Sequence, residues 1–206
     1  MLKTARLLAI SDRAALPGDL AVWIRELAAA GVDALQIREK DLEDRDLYGL
    51  TRLARSLLPP GTLLLVNGRV DVALAAGANG AHLPADGVPL APLRHRFGTG
   101  VILGRSTHSV PEVEQAMRDG ADHVTFGPVY PTPSKERFGP PVGLDALARA
   151  AAVGIPVYAL GGVTLERFEE VALAGAKGVA GIRLFQNPQT LPEVVRAARE
   201  LFPREP

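Results

Sequence analysis

A short phrase recurs four times along this chain and limits what it can fold into. Ala30-Gly31-Val32-Asp33, Ala76-Gly77-Ala78-Asn79, Gly120-Ala121-Asp122 and Ala174-Gly175-Ala176-Lys177 each follow an amphipathic stretch and precede an apolar run. A glycine at that place supplies the left-handed residue that ends a helix, which alanine resists. The phrase therefore reads as helix stop, short turn, strand start. Other apolar runs rich in β-branched residues lie between the copies. Together they predict eight strands, near 6–11, 33–38, 62–66, 79–83, 101–104, 122–126, 156–160 and 178–182.

Helical patterns fill the gaps. Leu20, Trp23, Ile24 and Leu27 share one face, as do Leu47, Leu50, Ala54 and Leu57. Ser109-Val110-Pro111-Glu112 and Thr190-Leu191-Pro192-Glu193 have the capping-box form that opens a helix. Strands alternating with helices imply parallel pairing through right-handed crossovers. Eight such units predict a single (β/α)8 TIM barrel over residues 1–206. A doubly wound open sheet is the competing architecture. The even spacing and the count of eight favour the barrel, and no linker or second domain is visible.

Composition bounds the function. The 206 residues are 47% hydrophobic, enough to bury a sizeable core. Basic and acidic side chains balance at 23 each, which gives no electrostatic reason to expect nucleic acid or a membrane surface as partner. With no cysteine, disulfides and thiolate metal sites are excluded. No apolar run has the length of a membrane span, and the N-terminus lacks a signal-peptide layout, so a cytoplasmic location is expected. A homo-oligomer is compatible with the sequence, which does not fix the oligomeric state.

A barrel carries its chemistry in the loops after the strands. Gln36, Arg38 and Lys40 stand at spacing two around the end of strand 2. Alternation on a strand would turn all three to one face and make an anion-binding corner. Asn67 follows strand 3 and could cap the next helix or meet a ligand. His82 reads as a hydrogen-bonded core histidine, His123 as structural and His95 as solvated. Ser106 and His108 follow strand 5, and a histidine at the mouth suits proton transfer as well as packing over the loop. The longest loop, 127–143, holds five prolines with Thr132, Ser134 and Lys135, and reads as a semi-rigid flap. Gly161-Gly162 after strand 7 and Gly181-Ile182-Arg183 after strand 8 read as a phosphate cradle, because backbone N–H groups can approach oxygens where no side chain intervenes. These groups together point to chemistry on a phosphorylated small molecule.

The same residues resemble the thiamine phosphate synthase/thiazole tautomerase family from strand 1 to strand 8. The motifs that carry the likeness are Leu35-Gln36-Ile37-Arg38-Glu39-Lys40, Val66-Asn67-Gly68-Arg69-Val70-Asp71, Gly80-Ala81-His82-Leu83, Gly104-Arg105-Ser106-Thr107-His108-Ser109, Phe126-Gly127-Pro128-Val129-Tyr130-Pro131-Thr132-Pro133-Ser134-Lys135 and Ala159-Leu160-Gly161-Gly162-Val163. The synthase joins a pyrimidine diphosphate to a thiazole phosphate and expels pyrophosphate. The tautomerase isomerises a thiazole carboxylate phosphate to its aromatic form. The resemblance implies that Gln36, Arg38, Lys40 and Asn67, with Ser106 nearby, match the pyrimidine diphosphate site. It implies that Thr132, Ser134, Gly162, Ile182 and Arg183 match the thiazole phosphate site, and that Lys135 contacts the diphosphate.

The chain departs from the synthase pattern at two magnesium ligands. The aspartate expected after Asn67 is Gly68, and the last residue of the motif after strand 4 is Gly87. Glycine offers no oxygen side chain to a magnesium ion. Asp71 or Asp86 would need a shifted backbone to replace them. The serine expected after strand 8 is Arg183. The tautomerase branch uses no metal, and its catalytic histidine would match His108. The expectation is therefore a thiazole tautomerase with no cofactor. The alternatives are a synthase with an altered magnesium site and a non-catalytic binder or regulator of phosphate ligands.

Overall fold

The computed structural model describes residues 5–132 and 140–202. Its eight strands are β1 (Leu7–Ile10), β2 (Ala34–Ile37), β3 (Leu63–Asn67), β4 (Gly80–Leu83), β5 (Ile102–Thr107), β6 (His123–Phe126), β7 (Val157–Leu160) and β8 (Gly178–Gly181). Each pairs in parallel with its sequence neighbour, and β8 pairs with β1, so the sheet closes into a barrel. The crossover helices are α1 (Leu20–Ala30), α2 (Asp44–Leu57), α3 (Val70–Ala75), α4 (Leu90–Phe97), α5 (Val110–Arg118), α6 (Gly143–Ala151), α7 (Phe168–Leu173) and α8 (Leu191–Leu201). The open doubly wound sheet is thereby excluded.

Strand alternation separates two cores. Leu8, Ile10, Ala34, Leu63, Leu65, Tyr158 and Ala180 cluster inside the barrel. Leu7, Ala9, Leu35, Ile37, Val66 and Val124 face outward and pack with Trp23, Ile24, Leu27, Leu147, Phe168 and Val195 of the helices. Burying such side chains is the main favourable term in folding, at about 25 cal/mol per Å² of apolar surface.

The recurring phrase does two jobs. Gly31, Gly77, Gly120 and Gly175 all adopt positive φ, between 77° and 85°, as a helix stop requires. The residue that closes the phrase also reaches back to the preceding strand. The Asp33 carboxylate accepts the N–H groups of Arg6 and Leu7 at 2.9 and 3.1 Å. Asn79 accepts from Leu64 N–H at 2.8 Å, and Asp122 accepts from Leu103 N–H at 2.8 Å. The copies thus tie β1 to β2, β3 to β4 and β5 to β6 at their N-terminal ends. In the fourth copy the position is Lys177, which carries no carboxylate.

Two local expectations fail. Ser109 does cap α5, accepting the Glu112 N–H, and Glu112 in turn accepts the His108 N–H at 2.7 Å. Thr190 has helical backbone angles and makes no side-chain cap on α8; its hydroxyl donates to the Asn187 carbonyl instead. Strand β5 also runs to Thr107 rather than ending at 104, because Ser106 and Thr107 pair with Thr125 and Phe126. Ser106 is therefore a strand residue.

Candidate functional site at the barrel mouth

The C-terminal ends of the strands carry two unlike halves. On the β1–β5 side polar side chains enter the barrel. Gln36 is 2% exposed on the inner face of β2, and its amide Nε2 donates to Asn67 Oδ1 of β3 at 3.1 Å. Asn67 therefore pairs with the adjacent strand and does not cap α3, whose preceding residue Arg69 makes no side-chain cap. Gln36 Oε1 is buried without a hydrogen-bond partner among the described residues. Buried polar atoms are nearly always paired, so an orphan acceptor at a mouth is a place for a ligand donor.

Strand β2 ends at Ile37. Arg38 is half-buried and Lys40 is exposed on the turn that follows. The expected strand alternation therefore covers Gln36 and stops before both Arg38 and Lys40, which lie on the turn. Neither cation forms an ion pair or side-chain hydrogen bond with another described residue. Between them, Glu39 is buried, accepts from Ser11 Oγ at 2.5 Å and is bridged by Arg13 at 3.2 Å. Ser11 Oγ in turn accepts the Arg38 N–H at 2.8 Å. This lock between the β1 and β2 loops fixes the backbone that presents Arg38. Sequence reasoning missed it because a lone Glu among charges carries no sign of burial.

Beneath Asn67 lie two interior histidines. His82 Nδ1 stands 3.1 Å from His123 Nε2, and His82 Nε2 stands 3.1 Å from Ser106 Oγ and 3.2 Å from Thr125 Oγ1. Burial keeps both rings neutral. It lowers His82 well below its ordinary value and His123 to about 4. Gly104 makes the room: a Cβ there would fall 2.2 Å from His123 and 2.4 Å from His82. A glycine inside a strand signals such a close approach, and that signal was legible in the sequence.

His108 sits at the end of β5 with its ring exposed. Its Nδ1 lies 2.5 Å from the Gly127 carbonyl oxygen. A carbonyl can only accept, so Nδ1 carries the proton and Nε2 of the neutral ring keeps its lone pair. The β6 loop thus fixes the orientation of the ring.

The β6–β8 half is built from backbone. Gly161 and Gly162 have φ of 93° and 66°. A Cβ on Gly161 would meet Pro128 at 2.6 Å, and one on Gly162 would meet Pro131 O at 2.7 Å and Tyr130 at 2.8 Å. The glycines are thus required by the approach of the β6 loop, whatever the mouth binds. Arg167 holds that contact, stacking 4.1 Å over the Tyr130 ring and donating to the Gly162 carbonyl at 2.6 Å. Tyr130 OH donates to Glu170 at 2.6 Å. The N–H groups of Gly162 and Val163 find no acceptor among the described residues. Gly181 closes β8, Ile182 packs on the inner core and Arg183 is exposed at the rim. Thr132 is half-buried in the β6 loop; Ser134, Lys135 and most of the expected flap fall outside the described residues.

The described residues do not fit a protein-held magnesium ion. Gly68 and Gly87 both face the Pro84 ring, where a Cβ would stand 3.9 and 3.0 Å from it. Asp71 is held by Arg69 through bonds of 2.9 and 2.6 Å, and that guanidinium holds its carboxyl below the ordinary value. Asp86 is exposed on the β4 loop, whose ends Arg105 pins through the Pro84 and Val88 carbonyls at 2.6 and 2.7 Å. No cluster of three or more metal-ligating side chains forms among the described residues. Nor is any described helix long and apolar enough to cross a membrane.

Comparison with known proteins gives a consistent family. The model of the thiamine monophosphate synthase family matches residues 7–185. A putative thiamine-phosphate synthase of Geobacter sulfurreducens is 45% identical over 197 residues, covering 94% of this chain and 92% of the relative. A thiamine-phosphate synthase of Chlorobium luteolum is 37% identical over 193 residues, covering 91% and 88%. The solved thiamine phosphate pyrophosphorylase of Pyrococcus furiosus superposes with a TM-score of 0.88 at 29% identity, covering 98% of this chain and all of that one.

Proposed function

Because this chain belongs to the thiamine monophosphate synthase family, we propose that it is a transferase joining a pyrimidine diphosphate to a thiazole phosphate. The observation that carries this reading is similarity over nearly the whole chain to proteins named for that reaction. It favours the transferase over the isomerase expected from the sequence. In the reaction the bond from the pyrimidine methylene carbon to the diphosphate oxygen breaks. Its electron pair leaves with pyrophosphate. The thiazole nitrogen lone pair forms the new C–N bond. Arg38 and Lys40 stand where they can offset the departing charge, and Lys135 of the flap matches the same role by resemblance. The Gln36–Asn67 pair presents an amide face to the pyrimidine. Free N–H groups at Gly162 and Val163, with Arg183 at the rim, suit the thiazole phosphate. Among the described residues Gly68 and Gly87 offer no carboxylate pair to magnesium, so these cations are the groups that can offset the charge.

A second reading is favoured by one specific observation. His108 carries an oriented Nε2 lone pair that the transfer reaction does not use. Together with the two glycines at the metal positions, it supports a thiazole tautomerase. There the histidine takes a proton from one atom of a thiazole carboxylate phosphate and returns it to another.

Two assays on one sample separate the readings. The transferase releases pyrophosphate in equal amount with coupled product from the two precursors. The isomerase aromatises its substrate, followed by absorbance, with chelator present. Aromatisation without any pyrophosphate release selects the second reading. Ligand binding with neither turnover leaves a non-catalytic binder.

A further inference from the structure

We infer that His82 is a positioning residue that makes the Ser106 hydroxyl a fixed hydrogen-bond donor toward the bound substrate. The inference rests on the reading that the mouth, with Ser106 in it, binds phosphorylated precursors.

Proton counting in a closed space fixes the direction of each bond. Both imidazoles are buried, and each neutral ring has one N–H and one lone pair. His123 Nδ1 has no partner among the described residues. If Nδ1 carried the proton, a buried donor would be left unmade, the rarer and costlier of the two defects. The proton therefore sits on His123 Nε2 and is donated to His82 Nδ1, 3.1 Å away. His82 must then carry its own proton on Nε2. That N–H points at Ser106 Oγ and Thr125 Oγ1, at 3.1 and 3.2 Å.

Every bond in the row now runs one way, from His123 through His82 to Ser106. The serine oxygen accepts from below, so its O–H is left to donate. Ser106 lies on the inner face of β5, paired in register with Thr125 on one side, while His82 is paired with Gly104 on the other. Its hydroxyl is half-buried at the level of the mouth. The group it meets is thus an acceptor: a phosphate oxygen or a ring nitrogen of the substrate. Gly104 belongs to the same device, because any Cβ there would push the two rings apart.

The test uses two near-isosteric variants of the full chain. His82→Gln places an amide N–H2 where Nε2 stands and can still donate to Ser106. His82→Asn places its amide at the level of Nδ1 and reaches only His123. Binding of thiazole phosphate and of inorganic pyrophosphate is measured by calorimetry for both, for Ser106→Ala and for the His82→Asn/Ser106→Ala double variant. Thermal midpoints are recorded in parallel. Ser106→Ala and His82→Asn should each weaken one of these ligands about tenfold, the worth of a single hydrogen bond. The double variant should be no weaker than either single, and His82→Gln should stay within about threefold of the parent. Equal loss in the Gln and Asn variants, or additive losses in the double, overturns the inference and leaves His82 a packing residue. Independently of any ligand, ¹⁵N chemical shifts of the histidine rings should show Nε2–H tautomers for His82 and His123; an Nδ1–H form of His82 overturns it as well. Failure of the parent to bind either ligand instead removes the reading of the mouth, while the tautomer result still stands or falls alone.

Discussion

The two ends of this barrel treat polar groups in opposite ways. At the N-terminal ends of the strands, Asp33, Asn79 and Asp122 are satisfied by backbone N–H groups of the neighbouring strand. Asp122 is further paired with Arg94 at 2.6 Å. At the C-terminal ends, Gln36 Oε1 is buried and unmatched, the side chains of Arg38 and Lys40 have no partner among the described residues, and His108 turns a lone pair outward. Polar groups that satisfy one another stabilise a fold. Polar groups held in place but left unmatched mark where a ligand completes the set. Among these residues the matched groups stand at the N-terminal ends and the unmatched ones at the mouth, where the Glu39–Ser11–Arg13 lock is a matched exception.

The sharpest way to break that division is at His108. His108→Ala should lower aromatisation of the thiazole carboxylate phosphate by about 10²–10⁴-fold while costing no more than about 1 kcal/mol of stability for the lost bond to Gly127. Pyrophosphate release, which needs no base at this point, should fall far less. Steady-state kinetics with both substrates reads the difference, and unchanged aromatisation would remove the proposed base.

The buried histidines give the next largest effect, and it falls on stability. The unfolded chain binds protons on His82 and His123 near pH 6.5, whereas the folded chain resists them, with His123 held down to about 4. The unfolded state thus binds more protons between those values. Stability is complete above pH 6.5 and is lost as the pH falls toward 4, by about 3 kcal/mol for His123 alone. Urea titrations across that range test it; a His123→Phe variant should lose most of that histidine's share of the slope.

At the opposite end, Asp33→Ala leaves the Arg6 and Leu7 N–H groups without their acceptor. It should cost about 1–3 kcal/mol of stability with catalytic constants intact once the protein is folded. The smallest contrast lies between two hydroxyls that look alike in sequence. Ser109→Ala should cost about 1 kcal/mol through its cap, and Thr190→Ala less than about 0.5 kcal/mol, because only the first makes the bond.

Much of this was legible before the structure. The glycine phrase and the apolar runs specify helix stops and strand starts, and eight of them leave a closed barrel as the consistent solution. The residues that end each strand identify the mouth, because the fold assigns function to that side. What the sequence hides is partnership. Nothing in the order of residues says that Asp33 reaches Arg6, that Glu39 is buried against Ser11, or that Asn67 pairs with Gln36 rather than capping a helix. The Gly161-Gly162 pair looks like a ligand cradle by composition, yet the β6 loop alone demands those glycines. Thr190 has the cap signature but lies in helical conformation, so its hydroxyl cannot serve the N–H groups ahead of it. The choice between transferase and isomerase is hidden for a related reason: missing carboxylates and a mouth histidine point one way, and the relatives' names the other.

The most direct test pairs one residue from each end in the coupling assay, run where both variants are folded. Pyrophosphate should appear in equal amount with coupled product in the parent and in Asp33→Ala, and should drop at least tenfold in Arg38→Ala. Loss in Asp33→Ala with full activity in Arg38→Ala, or no pyrophosphate from the parent at all, would contradict the account.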